Sequence, residues 1–403
     1  MTATPARQQT LPLPRLALLA ACTSLGPLAL NVYLPSLPVV RAEFDVPIAA
    51  LQSTVSLALL SFGLGLLLLG PLADRYGRRP ALLCGLALFI AGTALAAFAG
   101  TLSQLLVGRM VASCGAAMTF LSSRAVVADL TPRDRSQRSI AQMTMIMLMV
   151  QMIAPLLGNI AVAAGSWRAI QYALLLLGVV LFGLVWSDLA ESLPAPAAGE
   201  PRRSLLAPTL SLLRRQRFVL LLTQNGLLYS AYPAFVAMAP YLMVNAFHRP
   251  PTEYGYYFVA LPLGYFLGNG FVLRFGQRQG HHRLVMTGAS IGALACVVCA
   301  VLLAAGLWQP WVMFATLGVL LNFGMGLALP SASARAVDES WPNAASGWGL
   351  VGFAQQSIAA IAVQSLALFK VTSPYPVVGL CLALTGITLV LEQRAQRATR
   401  ELA

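Results

Sequence analysis

The sequence predicts an all-α membrane protein with twelve transmembrane helices in two pseudo-symmetric six-helix bundles. Three observations predict it. Of 403 residues, 58% are hydrophobic and only 10% charged, whereas a soluble chain carries about 25% charged residues. Apolar runs long enough to span a bilayer recur twelve times along the chain. The arginines between those runs fall on alternate loops, which fixes a topology.

Mean hydropathy is +0.76, so the chain has too few charges to cover a soluble surface and too much apolar content to be disordered. A span needs about 20 residues, so twelve use roughly 240–280. The remainder forms short loops and leaves no room for a soluble catalytic domain of ordinary size, about 100 residues. The net charge is +13, which in so apolar a chain reads as positive cytoplasmic loops rather than a nucleic-acid surface. Lys370 is the single lysine among 26 basic residues. The six cysteines, including the pair Cys296 and Cys299, all lie in apolar runs and read as small packing residues rather than a metal or redox site.

Residues 1–14 are polar and proline-rich and read as a cytoplasmic tail. The apolar run that follows is too long for a cleavable signal. Spans are expected near 15–38, 50–70, 81–100, 104–128, 140–163 and 169–187, and again near 218–244, 254–273, 284–305, 311–334, 344–369 and 374–391. The halves are thus a six-helix bundle over 15–187 and a second over 217–391. A proline- and arginine-rich linker, 188–216, joins them on the cytoplasmic side, and 392–403 is a cytoplasmic tail. With the N-terminus inside, twenty basic residues fall on inner segments and four on outer ones (Arg41, Arg168, Arg249, Lys370). That asymmetry predicts an even number of spans and both termini in the cytoplasm.

The halves echo each other. Asp74-Arg75-Tyr76-Gly77-Arg78-Arg79 follows the second run, and Leu273-Arg274-Phe275-Gly276-Gln277-Arg278 follows the eighth. Arg124-Ala125-Val126 and Arg335-Ala336-Val337 end the fourth and tenth runs. A duplicated six-helix unit places a substrate site near mid-membrane between the halves.

The turn Gly70-Pro71-Leu72-Ala73-Asp74-Arg75-Tyr76-Gly77-Arg78-Arg79-Pro80 is the most informative stretch. Gly70 permits close helix approach, Gly77 a positive φ, and Asp74 can accept hydrogen bonds from arginines or helix N-termini. It resembles motif A of the major facilitator superfamily, where it latches the outward-facing state. Asn31 to Pro38, Val107-Gly108-Arg109-Met110, Arg124 to Leu130, Ala154-Pro155-Leu156-Leu157-Gly158 and Trp167-Arg168-Ala169-Ile170 extend the likeness. Together they resemble the Bcr/CflA-type drug-resistance exporters of the twelve-helix drug:proton antiporter group. The C-terminal half matches more weakly, through Ala239-Pro240-Tyr241 and Gly324–Pro330. The resemblance implies a major facilitator fold in a bacterial inner membrane, and an exporter of small molecules working by alternating access, coupled to protons.

Pro155 and Gly158 remove a helix hydrogen bond and a side chain. The resulting seam marks antiporters in that family, although an ordinary proline kink has the same sequence. Arg109 within a span either faces a cavity, where the family likeness gives it a coupling role, or snorkels to the outer surface. Arg124 either pairs with Asp129 or faces the cavity. The family's first-span motif begins with aspartate, but here that position is Asn31, which cannot titrate. No acid falls in the middle of a predicted span, so any proton carrier is expected at Asp129, with Arg124 as its partner. Neutral polar groups in the spans supply the candidate cavity: Tyr33, Gln151, Gln224, Asn225, Tyr232, Tyr265, Asn322, Gln355 and Gln356. A cavity with arginine and no carboxylate disfavours organic cations. The expected cargo is a small polar neutral or anionic compound, either a drug or a metabolite such as a siderophore. The alternative is a gradient-driven facilitator or importer in the same fold. No cofactor, metal or nucleic-acid partner is expected; lipid, substrate and protons are, and the chain is expected to be monomeric.

Overall fold

The computed structural model describes residues 12–69, 73, 76–131, 133–192, 206–250, 253–341, 343–369 and 373–401. Gly70, Asp74 and Arg75 of the charged turn, Lys370 and linker residues 193–205 lie outside the described residues. Among the described residues there is no strand, and twelve helices are long and apolar enough to cross a membrane. In the first half they are α1 (Leu13–Phe44), α2 (Ile48–Leu68), α3 (Arg78–Ala97), α4 (Leu102–Leu130), α5 (Arg133–Ala163) and α6 (Arg168–Asp188). In the second they are α7 (Gln216–Asn245), α8 (Tyr254–Phe258 continuing as Leu261–Gln279), α9 (His281–Ala304), α10 (Pro310–Glu339), α11 (Ala344–Leu366) and α12 (Tyr375–Glu401).

Three expected boundaries move. α1 passes its proline-rich stretch by tightening to a 3-10 turn at Leu34–Ser36, where the Ser36 hydroxyl donates to the Tyr33 carbonyl at 2.6 Å. It ends at Asp45 in the left-handed region, φ 46°. The linker contains a short helix, Leu206–Leu213. α12 runs on to Glu401, so the segment from 392 begins as helix rather than as a free tail.

Within each half the helices pack through glycine. A Cβ on Gly92 would collide with the backbone of Ala112 and Gly108, and one on Gly108 with the backbone of Gly92 and Ala96. One heptad along, Gly85 and Gly115 make the same mutual approach. α3 and α4 therefore touch backbone to backbone, as membrane helices do where lipid offers no hydrophobic drive. Gly288 and Gly324 repeat the device between α9 and α10.

Apolar packing joins the halves at the end that carries Glu43. Tyr33, Leu37, Leu51 and Val55 of the first half share one buried cluster with Phe235, Tyr241 and Phe314 of the second. Hydrogen bonds cross the same seam. Gln52 donates to the Ala237 carbonyl at 3.2 Å, Ser56 to Gln364 Oε1 at 2.8 Å, and Gln364 to the Ala49 carbonyl at 3.2 Å. This end is closed by apolar packing, and a cavity lies inward of it.

Candidate functional site: a polar cavity between the halves

The cavity has about 1000 Å³ of space free of protein atoms, counting what opens to solvent. Its polar lining comes from Asn31 on α1, Thr93 on α3, Arg109 and Ser113 on α4, Gln151 on α5, Gln171 on α6, Tyr229 and Tyr232 on α7, and Gln356 on α11. Leu30, Phe62, Phe89 and Leu174 supply apolar wall. Of the sequence candidates, Asn31, Arg109, Gln151, Tyr232 and Gln356 line it.

Arg109 is its electrostatic centre. The residue is 6% exposed. Its Nε donates to the Thr54 carbonyl at 3.1 Å, and its guanidinium carbon lies 3.8 Å from the Tyr33 ring centroid. It has no acidic partner among the described residues. Arg109 thus does not snorkel. Tyr33 is fully buried beneath it, and the Tyr33 hydroxyl lies 3.4 Å from Thr54 Oγ1. Tyr33 therefore supports Arg109 and does not line the cavity. Asn31 donates to the Pro27 carbonyl at 2.8 Å, so its amide is held against its own helix.

The other cavity candidates are used elsewhere. Asn225 donates to Ser333 at 2.9 Å and accepts from Gln355 at 2.7 Å. Asn322 bonds the Gly318 carbonyl of its own helix. Tyr265, on α8, lies within electrostatic reach of Arg124. Gln224 donates to Glu392.

That last contact exposes a group the sequence reading missed. Glu392, expected in a tail, is fully buried and accepts hydrogen bonds from Arg335, His282 and Gln224. The wheel of α12 carries it inward at a position where hydropathy has already fallen, so an apolar-run criterion stops short. Gln171 was also overlooked, because it follows Trp167 and Arg168 at a span edge. A signal existed: it falls on the buried stripe Gln171, Leu174, Gly178, Leu181, Val185 of α6, which has helical spacing.

At the opposite end from Glu43, Arg78 Nε is 3.1 Å from Asp129 Oδ2, and Ser192 Oγ is 3.3 Å from the same oxygen. Glu191 accepts the backbone N–H of Arg78 at 2.9 Å and of Arg79 at 3.1 Å, closing the N-terminus of α3. Gly77 enters that helix at φ 104°, which favours glycine. Arg79 donates to the Trp186 carbonyl at 2.8 Å. The expected Arg124–Asp129 pair is not formed. Five residues turn a helix about 140° past a full revolution, so the two side chains leave different faces. Arg124 instead reaches Thr144 on α5 at 3.4 Å and lies 4.2 Å over the Phe120 ring. Asp129 is exposed at the end of the bundle rather than beside the cavity.

Pro155 lies within α5. A Cβ on Gly158 would collide with the Val32 carbonyl oxygen, so that glycine lets α5 lie against α1 beside the cavity.

The sequence profile of the Major Facilitator Superfamily matches residues 19–363. Multidrug resistance protein D of Escherichia coli (strain K12) is 26% identical over 388 residues, covering 93% of this chain and 94% of that protein. A bicyclomycin resistance protein homolog of Haemophilus influenzae is 23% identical over 376 residues, covering 91% of this chain and 93% of that protein. The crystal structure of a POT family transporter in complex with 5-aminolevulinic acid superposes with a TM-score of 0.77 at 13% identity, over 96% of each chain. That last likeness concerns the fold.

Proposed function

This chain belongs to the Major Facilitator Superfamily, and on that premise we propose that it is an exporter of small polar neutral or anionic compounds, working by alternating access. It is a multi-pass membrane transporter whose relatives carry drug-resistance names, in agreement with the Bcr/CflA-type resemblance of its motifs. The proposed setting is a bacterial inner membrane, as a monomer with both termini cytoplasmic, which the distribution of loop arginines supports. The cargo is a drug or an endogenous metabolite such as a siderophore.

The observation that carries the substrate class is Arg109, a buried guanidinium on the cavity wall with no acidic partner among the described residues. A cation there repels organic cations and tolerates neutral or acidic solutes. The apolar closure at the Glu43 end shuts the cavity off from that side in this state.

The proton-coupling part of the proposal places the carrier at Asp129, with Arg78 in place of Arg124 as counter-charge. Asn31 favours a second reading, a facilitator without proton coupling, since the cavity wall has no carboxylate among the described residues.

Everted membrane vesicles separate the two. With an imposed proton gradient, the exporter should concentrate neutral chloramphenicol and leave cationic ethidium outside. Equilibration without concentration supports the facilitator. Preferential uptake of ethidium overturns the substrate class.

A further inference from the structure

We infer that the cavity recognises a carboxylate on an apolar, aromatic-sized body, held by Arg109 and Gln171 in a recess within the N-terminal half. This deepens the proposed function and rests on it. Three observations carry it. The cavity does not stop at the helices that face the opposite half. It reaches Phe89 and Thr93 on α3 and Gln171 and Leu174 on α6, two helices whose other faces expose Leu95, Leu176 and Val180.

The second observation is Gln171 itself. It is 2% exposed, it lines the cavity, and its buried Nε2 has no hydrogen-bond partner among the described residues. A buried amide donor left unpaired is costly. Whichever way the carboxamide is turned, it offers the cavity an unfilled hydrogen-bonding group that a ligand or water would complete.

The third is Arg109. Its Nε is taken by the Thr54 carbonyl and one face of its guanidinium by the Tyr33 ring, which fix the guanidinium plane. No carboxylate among the described residues neutralises it, and among them it is the only arginine or lysine on the cavity wall. A fixed planar fork in a low-dielectric recess suits a carboxylate better than a neutral group or a point cation. Phe62, Phe89 and Leu174 on the same wall give an apolar body a place to lie. Gln356, whose Oε1 is buried and has no partner among the described residues, offers an acceptor on the C-terminal side for a hydroxyl or amine on that body.

The test is equilibrium binding to the full-length protein in nanodiscs. The probes are a panel of aromatic acids, each beside its own primary amide: benzoate and benzamide, salicylate and salicylamide, 4-aminobenzoate and 4-aminobenzamide. At least one acid should bind about tenfold more tightly than its amide, the scale of one charge-assisted hydrogen bond. Arg109→Gln should remove that preference, and Arg109→Lys, which keeps the charge without the fork, should retain part of it. Gln171→Leu should weaken the acid about tenfold on the same scale, while the preference for charge persists in part. A monodisperse elution profile and wild-type thermal stability identify which variants are folded. The inference is overturned if no acid outbinds its amide in the wild type, or if the preference survives intact in Arg109→Gln. Acid binding that is unchanged in Gln171→Leu removes Gln171 from the site. Vesicles that still export chloramphenicol after such a result leave the exporter reading standing. Tight acid binding by a protein that concentrates no compound in vesicles would sink the exporter reading alone.

Discussion

Replacing Glu392 by glutamine should loosen the C-terminal half. The carboxylate is fully buried and accepts from Arg335 on α10, His282 on α9 and Gln224 on α7. It therefore ties three helices to α12. A hydrogen bond to a charged group contributes about 1.5–3 kcal/mol, and removing one partner of a buried ion pair costs about 3–5 kcal/mol. The Arg335 and His282 side chains are 19% and 30% exposed, so water takes back part of the loss, and glutamine can still accept one hydrogen bond. A net destabilisation of about 3 kcal/mol is expected from these terms. For a cooperative unit of about 150–250 residues this lowers Tm by about 6–12 °C. The cysteines supply the assay: Cys22, Cys296, Cys299 and Cys381 are buried and Cys84 is exposed. A thiol-reactive dye should label Cys84 at once and the buried set only on unfolding. Glu392→Leu combined with Arg335→Leu should recover part of the loss, because the arginine is then no longer left unpaired, while the Gln224 amide still lacks its acceptor. A folded Glu392→Gln with wild-type Tm would refute the assignment of Glu392 as the tie.

Other consequences can be checked in the same preparations. Arg109→Ala should abolish transport in vesicles and Arg109→Lys should rescue it poorly, since the planar fork is held by Thr54 and Tyr33; full activity of the alanine variant would show the cavity cation to be dispensable. Asn31→Asp should add a pH dependence to transport or admit ethidium, because it places a titratable group on the cavity wall. Gly92→Val should lower the yield of folded protein sharply, as its side chain would meet the α4 backbone; normal expression and Tm would contradict the backbone contact. In a double-mutant cycle read by Tm, Asp129→Asn should couple to Arg78→Gln by about 0.5–1 kcal/mol, the scale of a part-exposed pair. The same cycle with Arg124→Gln should show no coupling.

The sequence by itself determined the class of solvent, the number of spans and the twofold repeat. Those depend on quantities summed over many residues: apolar run length against bilayer thickness, the side on which arginines fall, and two matched turns. The positive φ at Gly77 and the close helix approach at Gly158 were readable because each imposes a local backbone demand. Which polar residues meet was not readable. Arg124 and Asp129 are near in sequence, yet a helix turns them apart, and Asp129 finds Arg78 from 51 positions away. Tyr33 and Gln224 have the chemistry of cavity groups, but one supports Arg109 and the other holds Glu392. Glu392 looked like part of a charged tail because hydropathy falls off there, while its burial depends on α7, α9 and α10 arriving around it. Gln171 was hidden by its place beside Trp167 and Arg168, and only the packing of α6 against the bundle shows it on the cavity wall. Burial of a polar group is a property of its neighbours. In a bundle of twelve helices those neighbours come from distant segments, so the tertiary structure alone decides which polar groups the cavity keeps.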